Sequence, residues 1–347
     1  MPGPVGALRC CGPRPPHRNP FRTMSASPPV RTRVDRVTSA SRPFIGEPLI
    51  DRCHADRDDP LANAARWADP GALLLSVGAH DEVAVLPGAT PEDTVRLAPT
   101  PTSGERDDQR QLLIGVVQGR PWFITRDTPR AAAGQQIAPL RSLRLGPVAR
   151  EIVWAGLAFL HWAESQPMCP SCHGTTRLTS GGPTRVCTAC GREVFPRTDP
   201  AVISAVVDRQ DRIALGRQPS WAPGRVSVLA GFVEAGEAAE HALVREVAEE
   251  TGLRVTAARY LSSQPWPFPR SLMLGYVARA EGTISDGDHE LDEARFYSRD
   301  QVRDLVAGGG LILPTPMSIA RSMVDGWLDN RLPSPESGTD LSVPLSL

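Results

Sequence analysis

The chain has 347 residues, 41% hydrophobic and 22% charged, with a formal net charge of −1. That length is enough for two or three separately packed units, and the near-zero charge excludes long-range attraction for nucleic acid or an anionic membrane. No apolar run approaches the roughly 18 residues needed to cross a bilayer. All 38 basic residues are arginine, and prolines number 35, a bias that points to a GC-rich genome rather than to a function.

Residues 1–34 contain no Asp or Glu, and Pro13, Pro15 and Pro16 oppose the amphipathic helix of a transit peptide. With no apolar signal region either, residues 1–40 read as a disordered tail or an over-extended start with Met24 as initiator, and the expected compartment is the cytoplasm. From 41 to 147, apolar stretches alternate with polar breaks. Gly71–Val77, Glu82–Leu86, Gln111–Val117 and Trp122–Thr125 have strand character, which predicts a small β-rich domain. Apolar residues then recur at helical spacing from Pro147 to Gln166 (Val148, Ile152, Ala155, Leu157, Phe159, Leu160, Trp162), a linking helix over 148–166.

The segment 167–197 carries Cys169-Pro-Ser-Cys172 and Cys187-Thr-Ala-Cys190, separated by 14 residues. Two such pairs supply four thiolates to one tetrahedral zinc. Gly174 and Gly191 follow the pairs where each knuckle turns. With four sulfur ligands no position is left for water, so the metal is structural. Cys10, Cys11 and Cys53 suggest no site. A ribbon of this kind also occurs in nucleic-acid modules, but His173, Arg177 and Arg185 make this one only mildly basic.

From 198 to 330 strands and helices mix without a regular βαβ repeat, and a flexible tail follows over 331–347. Strands are expected at 201–207, 212–215, 227–230, 254–262, 271–279 and 293–298. Helices are expected at Glu237–Thr251, 299–306 and 316–328, giving an α+β fold with a mixed sheet. On the first helix Glu246, Glu249 and Glu250 stand at i, i+3 and i+4, on one face. Three like charges there destabilise an ordinary helix and suit a divalent cation with hard oxygen ligands. Arg245 beside them can fork a carboxylate. After the helix comes Ser263-Gln-Pro-Trp-Pro-Phe-Pro-Arg-Ser271, in which three prolines alternate with aromatics. They exclude a central strand or helix interior and predict a stiff extended loop, suited either to flat rings or to partner packing. His161 and His241 read as surface or packing residues.

Gly231, Glu237, Arg245, Glu246, Val247, Glu249, Glu250, Gly252 and Leu253 match every position of the Nudix box, and the chain resembles the Nudix hydrolases. The loop after the box and the four-cysteine ribbon before it are similar to the NADH pyrophosphatases, the NudC-type branch. The resemblance implies an α/β/α sandwich with a mixed sheet, preceded by the ribbon and the β-rich domain. It implies hydrolysis of the diphosphate of NADH or NAD⁺ to NMN(H) and AMP with Mg²⁺ or Mn²⁺, or removal of NAD caps from RNA, by a homodimer. It assigns the catalytic metal to Glu246, Glu249, Glu250, the Ala230 carbonyl and Glu290 (with Glu293 as a rival), and the general base to Glu249 or Glu250. Glu237 and Arg245 support the loop. Gln264, Pro265, Trp266, Pro267, Phe268, Pro269, Arg270 and Ser271 would contact the dinucleotide, with Phe195, Phe232 and Ala320 around it and Arg141 as a phosphate contact on position alone. A catalytically dead dinucleotide sensor is the contrasting reading, but no glutamate of the box is missing.

Overall fold

The computed structural model describes residues 47–88, 94–179, 181–285 and 290–341. The expected N-terminal tail, with Met24, Cys10 and Cys11, and the last residues of the C-terminal tail lie outside them.

The first elements are helix α1 (Pro60–Ala68) and strands β1 (Leu73–Val77), β2 (Glu82–Leu86), β3 (Arg96–Leu97), β4 (Thr100–Pro101), β5 (Leu112–Val117), β6 (Arg120–Arg126) and β7 (Gln136–Pro139). They form a four-stranded sheet, β4-β1-β6-β5, and a three-stranded one, β3-β2-β7. α1 was not anticipated from apolar spacing, although Asp59 caps it by accepting from the Leu61 N–H and Pro60 opens it. Helix α2 (Pro147–Ser165) closes this unit, its Gly156 so near the sheet that a Cβ would meet Ile124 Cδ1 at 2.5 Å. The shared core includes Ile114, Ile124, Ile152, Leu157 and Trp162.

The cysteine segment supplies β8 (Thr176–Thr179), β9 (Thr184–Cys187) and β10 (Glu193–Val194), an antiparallel sheet in the order β10-β9-β8. Leu178 and Val194 belong to the same hydrophobic core as the N-terminal sheets.

The remaining chain builds β11 (Asp199–Val207), β12 (Ile213–Arg217), β13 (Leu229–Phe232), α3 (Ala239–Thr251), β14 (Arg254–Trp266), β15 (Ser271–Glu281), β16 (Glu293–Tyr297), α4 (Arg299–Ala307), α5 (Ile319–Leu328) and β17 (Thr339–Asp340). Their seven-stranded sheet runs β16-β12-β11-β15-β14-β17, with β13 also on β11; β11 and β15 are parallel and the other pairings antiparallel. β11 shows why two helical layers form. Val202 and Val206 pack with Ala242, Leu243 and Val247 of α3, while Ile203, Ala205 and Val207 pack with Ala320, Val324 and Trp327 of α5. Side chains alternating across a strand need an apolar cover on both faces, and each fully buried aliphatic contributes about 1.5–3 kcal/mol. The result is the expected α/β/α sandwich.

One element differs in kind. β14 continues through Gln264, Pro265 and Trp266, paired with Met273, Leu272 and Ser271, so half of the expected stiff loop is strand. Its other neighbour, β17, pairs only at Ala257 and Ala258, which leaves Pro265 on an open edge where a missing N–H costs nothing. α3 begins at Ala239, so Glu237 belongs to the preceding turn and not to the helix.

Candidate active site

The glutamate site is assembled by β13, a turn, and α3. Val247, Ala242 and Leu243 fasten one face of α3 to the sheet. That rotation leaves Glu249 exposed and brings Glu250, 5% exposed, into the interior. β13 passes so close to the helix that a Cβ on Gly231 would run into the Glu246 carboxylate. Only glycine allows this approach.

Arg245 organises the charges. Its Nε and Nη2 fork the Glu237 carboxylate at 2.9 Å each, Nη1 donates to Glu246 at 2.9 Å and Glu249 at 2.8 Å, and Nη2 also reaches the Phe232 carbonyl at 2.8 Å. The Glu234 N–H donates to Glu237 as well, at 2.9 Å. The guanidinium first, and that N–H second, hold the Glu237 carboxyl down at about 2. Glu246 moves the other way: burial pushes its carboxyl up, against the pull of Arg245, and the negative charges of Glu249 and Glu290 add to the rise. Glu290, the expected outlying carboxylate, is thus near enough for its charge to act on Glu246. Crowded carboxylates, one of them raised by burial, fit a divalent cation. As they stand, however, Glu237, Glu246 and Glu249 are spread around the guanidinium, and among the described residues the carboxylates do not converge on one point.

Beside them opens a cavity of about 230 Å³ whose wall includes Ala230, Glu250, Gln264, Trp266 and Ala320. Five of the residues assigned by resemblance therefore meet in one space. Gln264 is 1% exposed, and its amide bonds the start of α5: Nε2 donates to the Met317 carbonyl at 2.8 Å and Oε1 accepts from the Ile319 N–H at 2.6 Å. It shapes the wall and braces that helix. Pro265 and Ser271 lie in the β14–β15 ladder, and Pro267 is buried.

Other expected contacts point elsewhere. Phe268 meets Trp266 edge-to-face at 5.1 Å but packs on the N-terminal core, with the Arg141 guanidinium 4.7 Å from its ring centre. Arg141 is thereby engaged with an aromatic ring. Arg270 pairs with Asp199 at 2.8 Å, and the Pro269 carbonyl faces His161. Phe195 and Phe232 are 48% and 58% exposed and do not line the cavity.

Sequence reasoning missed Trp221, Arg225, Met273 and Leu291 in the cavity wall. Trp221 and Arg225 sit on the turn between β12 and β13, with the guanidinium 5.7 Å from the indole centre. An aromatic and an arginine bracketing Pro-Gly in an inter-strand turn was the available signal.

The four cysteine sulfurs lie within 4.8 Å of one another, and among the described residues they are the one metal-ligating group that converges so tightly. The Cys190 N–H donates to Cys187 Sγ at 3.4 Å and the Ser171 N–H to Cys169 Sγ at 3.5 Å. These N–H groups favour thiolates at Cys187 and Cys169, as a zinc site requires.

A model of the NUDIX domain matches residues 197–314. A protein of Mycobacterium bovis (strain BCG / Pasteur 1173P2) named NAD-capped RNA hydrolase NudC is 37% identical over 305 residues, covering 81% of this chain and 94% of that protein. The chain belongs to the NudC family of Nudix hydrolases. A NudC of the same name from Pseudomonas aeruginosa (strain LESB58) is 38% identical over 224 residues, 63% of this chain and 77% of the relative. Among solved structures, a NUDIX hydrolase from Nitrosomonas europaea aligns over 48% of this chain and 92% of its own, at 17% identity and a TM-score of 0.40. Nudix hydrolases use divalent metals.

Proposed function

We propose that this protein hydrolyses the diphosphate bridge of NAD(H), releasing NMN(H) and AMP, and acts on the same bond in NAD-capped RNA. The observation that carries the reading is the joining of the Arg245-latched glutamate helix to a cavity walled by Glu250, Gln264, Trp266 and Ala320. The names of the NudC relatives support the capped-RNA substrate.

Glu246, Glu249, Glu250 and Glu290, with the Ala230 carbonyl, would hold Mg²⁺ or Mn²⁺. When bound, the cation neutralises phosphate charge and acidifies the attacking water. Glu249 or Glu250 then takes the water's proton as it attacks one phosphorus in line, and a nucleoside monophosphate leaves. Arg245 keeps the carboxylates from scattering, Gly231 brings the β13 backbone within reach, and Trp266 offers an apolar face to a planar ring. The cysteine cluster holds a structural Zn²⁺, a reading supported by the spacing of the two cysteine pairs and the closeness of their sulfurs; the active species is a homodimer, as the family resemblance implies, and the compartment is the cytoplasm.

Product analysis with NADH, NAD⁺ and NAD-capped RNA, under Mg²⁺ and under Mn²⁺, tests the proposal. NMNH and AMP should form from NADH, and Glu249→Gln or Glu250→Gln should lower kcat by about 10²-fold or more, whichever is the base. No cleavage of any of the three substrates under either metal would sink the reading and favour a dinucleotide sensor.

A further inference from the structure

His161, near the end of α2, joins two segments far apart in the chain. Its Nδ1 lies 3.1 Å from the Pro269 carbonyl oxygen and its Nε2 lies 2.9 Å from Asp81 Oδ1. A carbonyl and an ionised carboxylate only accept, so both ring nitrogens must donate for the two bonds to coexist. Neutral imidazole carries one N–H; imidazolium carries two.

Asp81 is itself fixed. It occupies the turn between β1 and β2 with φ of 58°, and Arg126 Nη1 donates to the same Oδ1 at 2.9 Å. Glu164 holds Arg126 by a fork of 2.7 and 3.0 Å. The charged groups around the imidazole are therefore Asp81 from the β1–β2 turn, Arg126 from β6 and Glu164 from α2, while Arg270 on the opposing turn is taken by Asp199. The His161 and Asp81 side chains are 17% and 21% exposed, so the bond between them is partly shielded from water.

On the turn itself, Phe268 packs against the N-terminal core beneath Arg141. Trp266, two residues earlier, touches Phe268 and forms cavity wall. The turn is gripped from the N-terminal side while its other flank faces the cavity.

We infer that His161 is a positioning residue that ties the 267–270 turn to the N-terminal β unit and so holds Trp266 in place for the dinucleotide, a role that rests on the hydrolase reading above. When the tie is lost the turn loosens and substrate affinity falls, while the glutamates, mounted on α3, keep their geometry.

The test is steady-state kinetics on NADH, combined with hydrogen exchange over residues 267–271. His161→Ala should raise KM about tenfold, as loss of a partly buried hydrogen bond implies, and leave kcat within about twofold. An unchanged KM in His161→Ala, or a loss confined to kcat and melting temperature, overturns the assignment. If the wild type does not cleave NADH, the hydrolase reading falls, and exchange judges the tie alone. Protection of the turn that disappears in His161→Ala supports it; protection that persists overturns it.

Discussion

A guanidinium that donates to three carboxylates and a backbone carbonyl sets the residue-scale chemistry of this protein. Arg245 draws the Glu237 carboxyl down to about 2, so ionised Glu237 latches the turn ahead of α3. A carboxyl depressed on folding contributes stability above its unfolded value and loses it as pH falls through the folded one. The latch is thus present at neutral pH and is expected to release between about 4.5 and about 2. Melting temperature measured across that window should fall more steeply for the wild type than for Glu237→Gln, which has no proton to take up. Equal slopes would remove Glu237 from the latch. At this scale the glutamate spacing was legible from the chain, and so was a fork from Arg245. That the fork selects Glu237, and that the same guanidinium spans Glu246 and Glu249, depends on β13 crossing α3 at Gly231. Such a crossing belongs to the fold and leaves no trace in local spacing.

At the scale of elements, β14 changes what its prolines mean. Proline opposes a central strand, and that rule predicted a loop; the rule holds, but Pro265 lies on an edge and the strand continues. Continuation carries Gln264 beneath the start of α5, where its amide bonds both the Met317 carbonyl and the Ile319 N–H. Gln264→Ala would leave two buried backbone groups unpaired, at about 1–3 kcal/mol each. Denaturant unfolding should therefore show a loss of about 2–6 kcal/mol, and the KM for NADH should rise because Ala320 and Trp266 lose their common support. A variant of unchanged stability would show that α5 is seated without it. Helix α1 failed to register for a different reason. Its nine residues hold only two large apolar side chains, Leu61 and Trp67, and only the Asp59-Pro60 cap announces it.

For the molecule as a whole, the cysteine ribbon is joined to the N-terminal unit. Leu178 and Val194 sit in the core of the N-terminal sheets, and the Leu113 N–H donates to the Gly181 carbonyl at 2.7 Å. A bound structural metal contributes its binding free energy to folding, so its loss should be felt beyond the ribbon. Treatment with a strong chelator, or Cys187→Ser, is expected to lower the melting temperature and to increase hydrogen exchange in β5 as well as β9. Destabilisation confined to residues 169–194 would show that the ribbon is a separate module. The same core receives Phe268 and Met317 from the catalytic half, which joins the N-terminal unit to the substrate cavity. Among the described residues, no helix is long and apolar enough to cross a membrane.

Local order along the chain was enough to determine the chemistry. Two cysteine pairs at ribbon spacing, a glycine turn with three glutamates on one helical face, and strands of alternating polarity each declare themselves within a short window, because helical and strand periods put those side chains together whatever surrounds them. Only the tertiary structure decided what those groups meet. Gly231 against Glu246, Gln264 beneath α5, Trp221 and Arg225 in the cavity wall, and His161 between Asp81 and Pro269 are contacts between segments brought together by packing two faces of one sheet and one shared core. Such contacts depend on which faces are buried against which, and no spacing within a single segment encodes that.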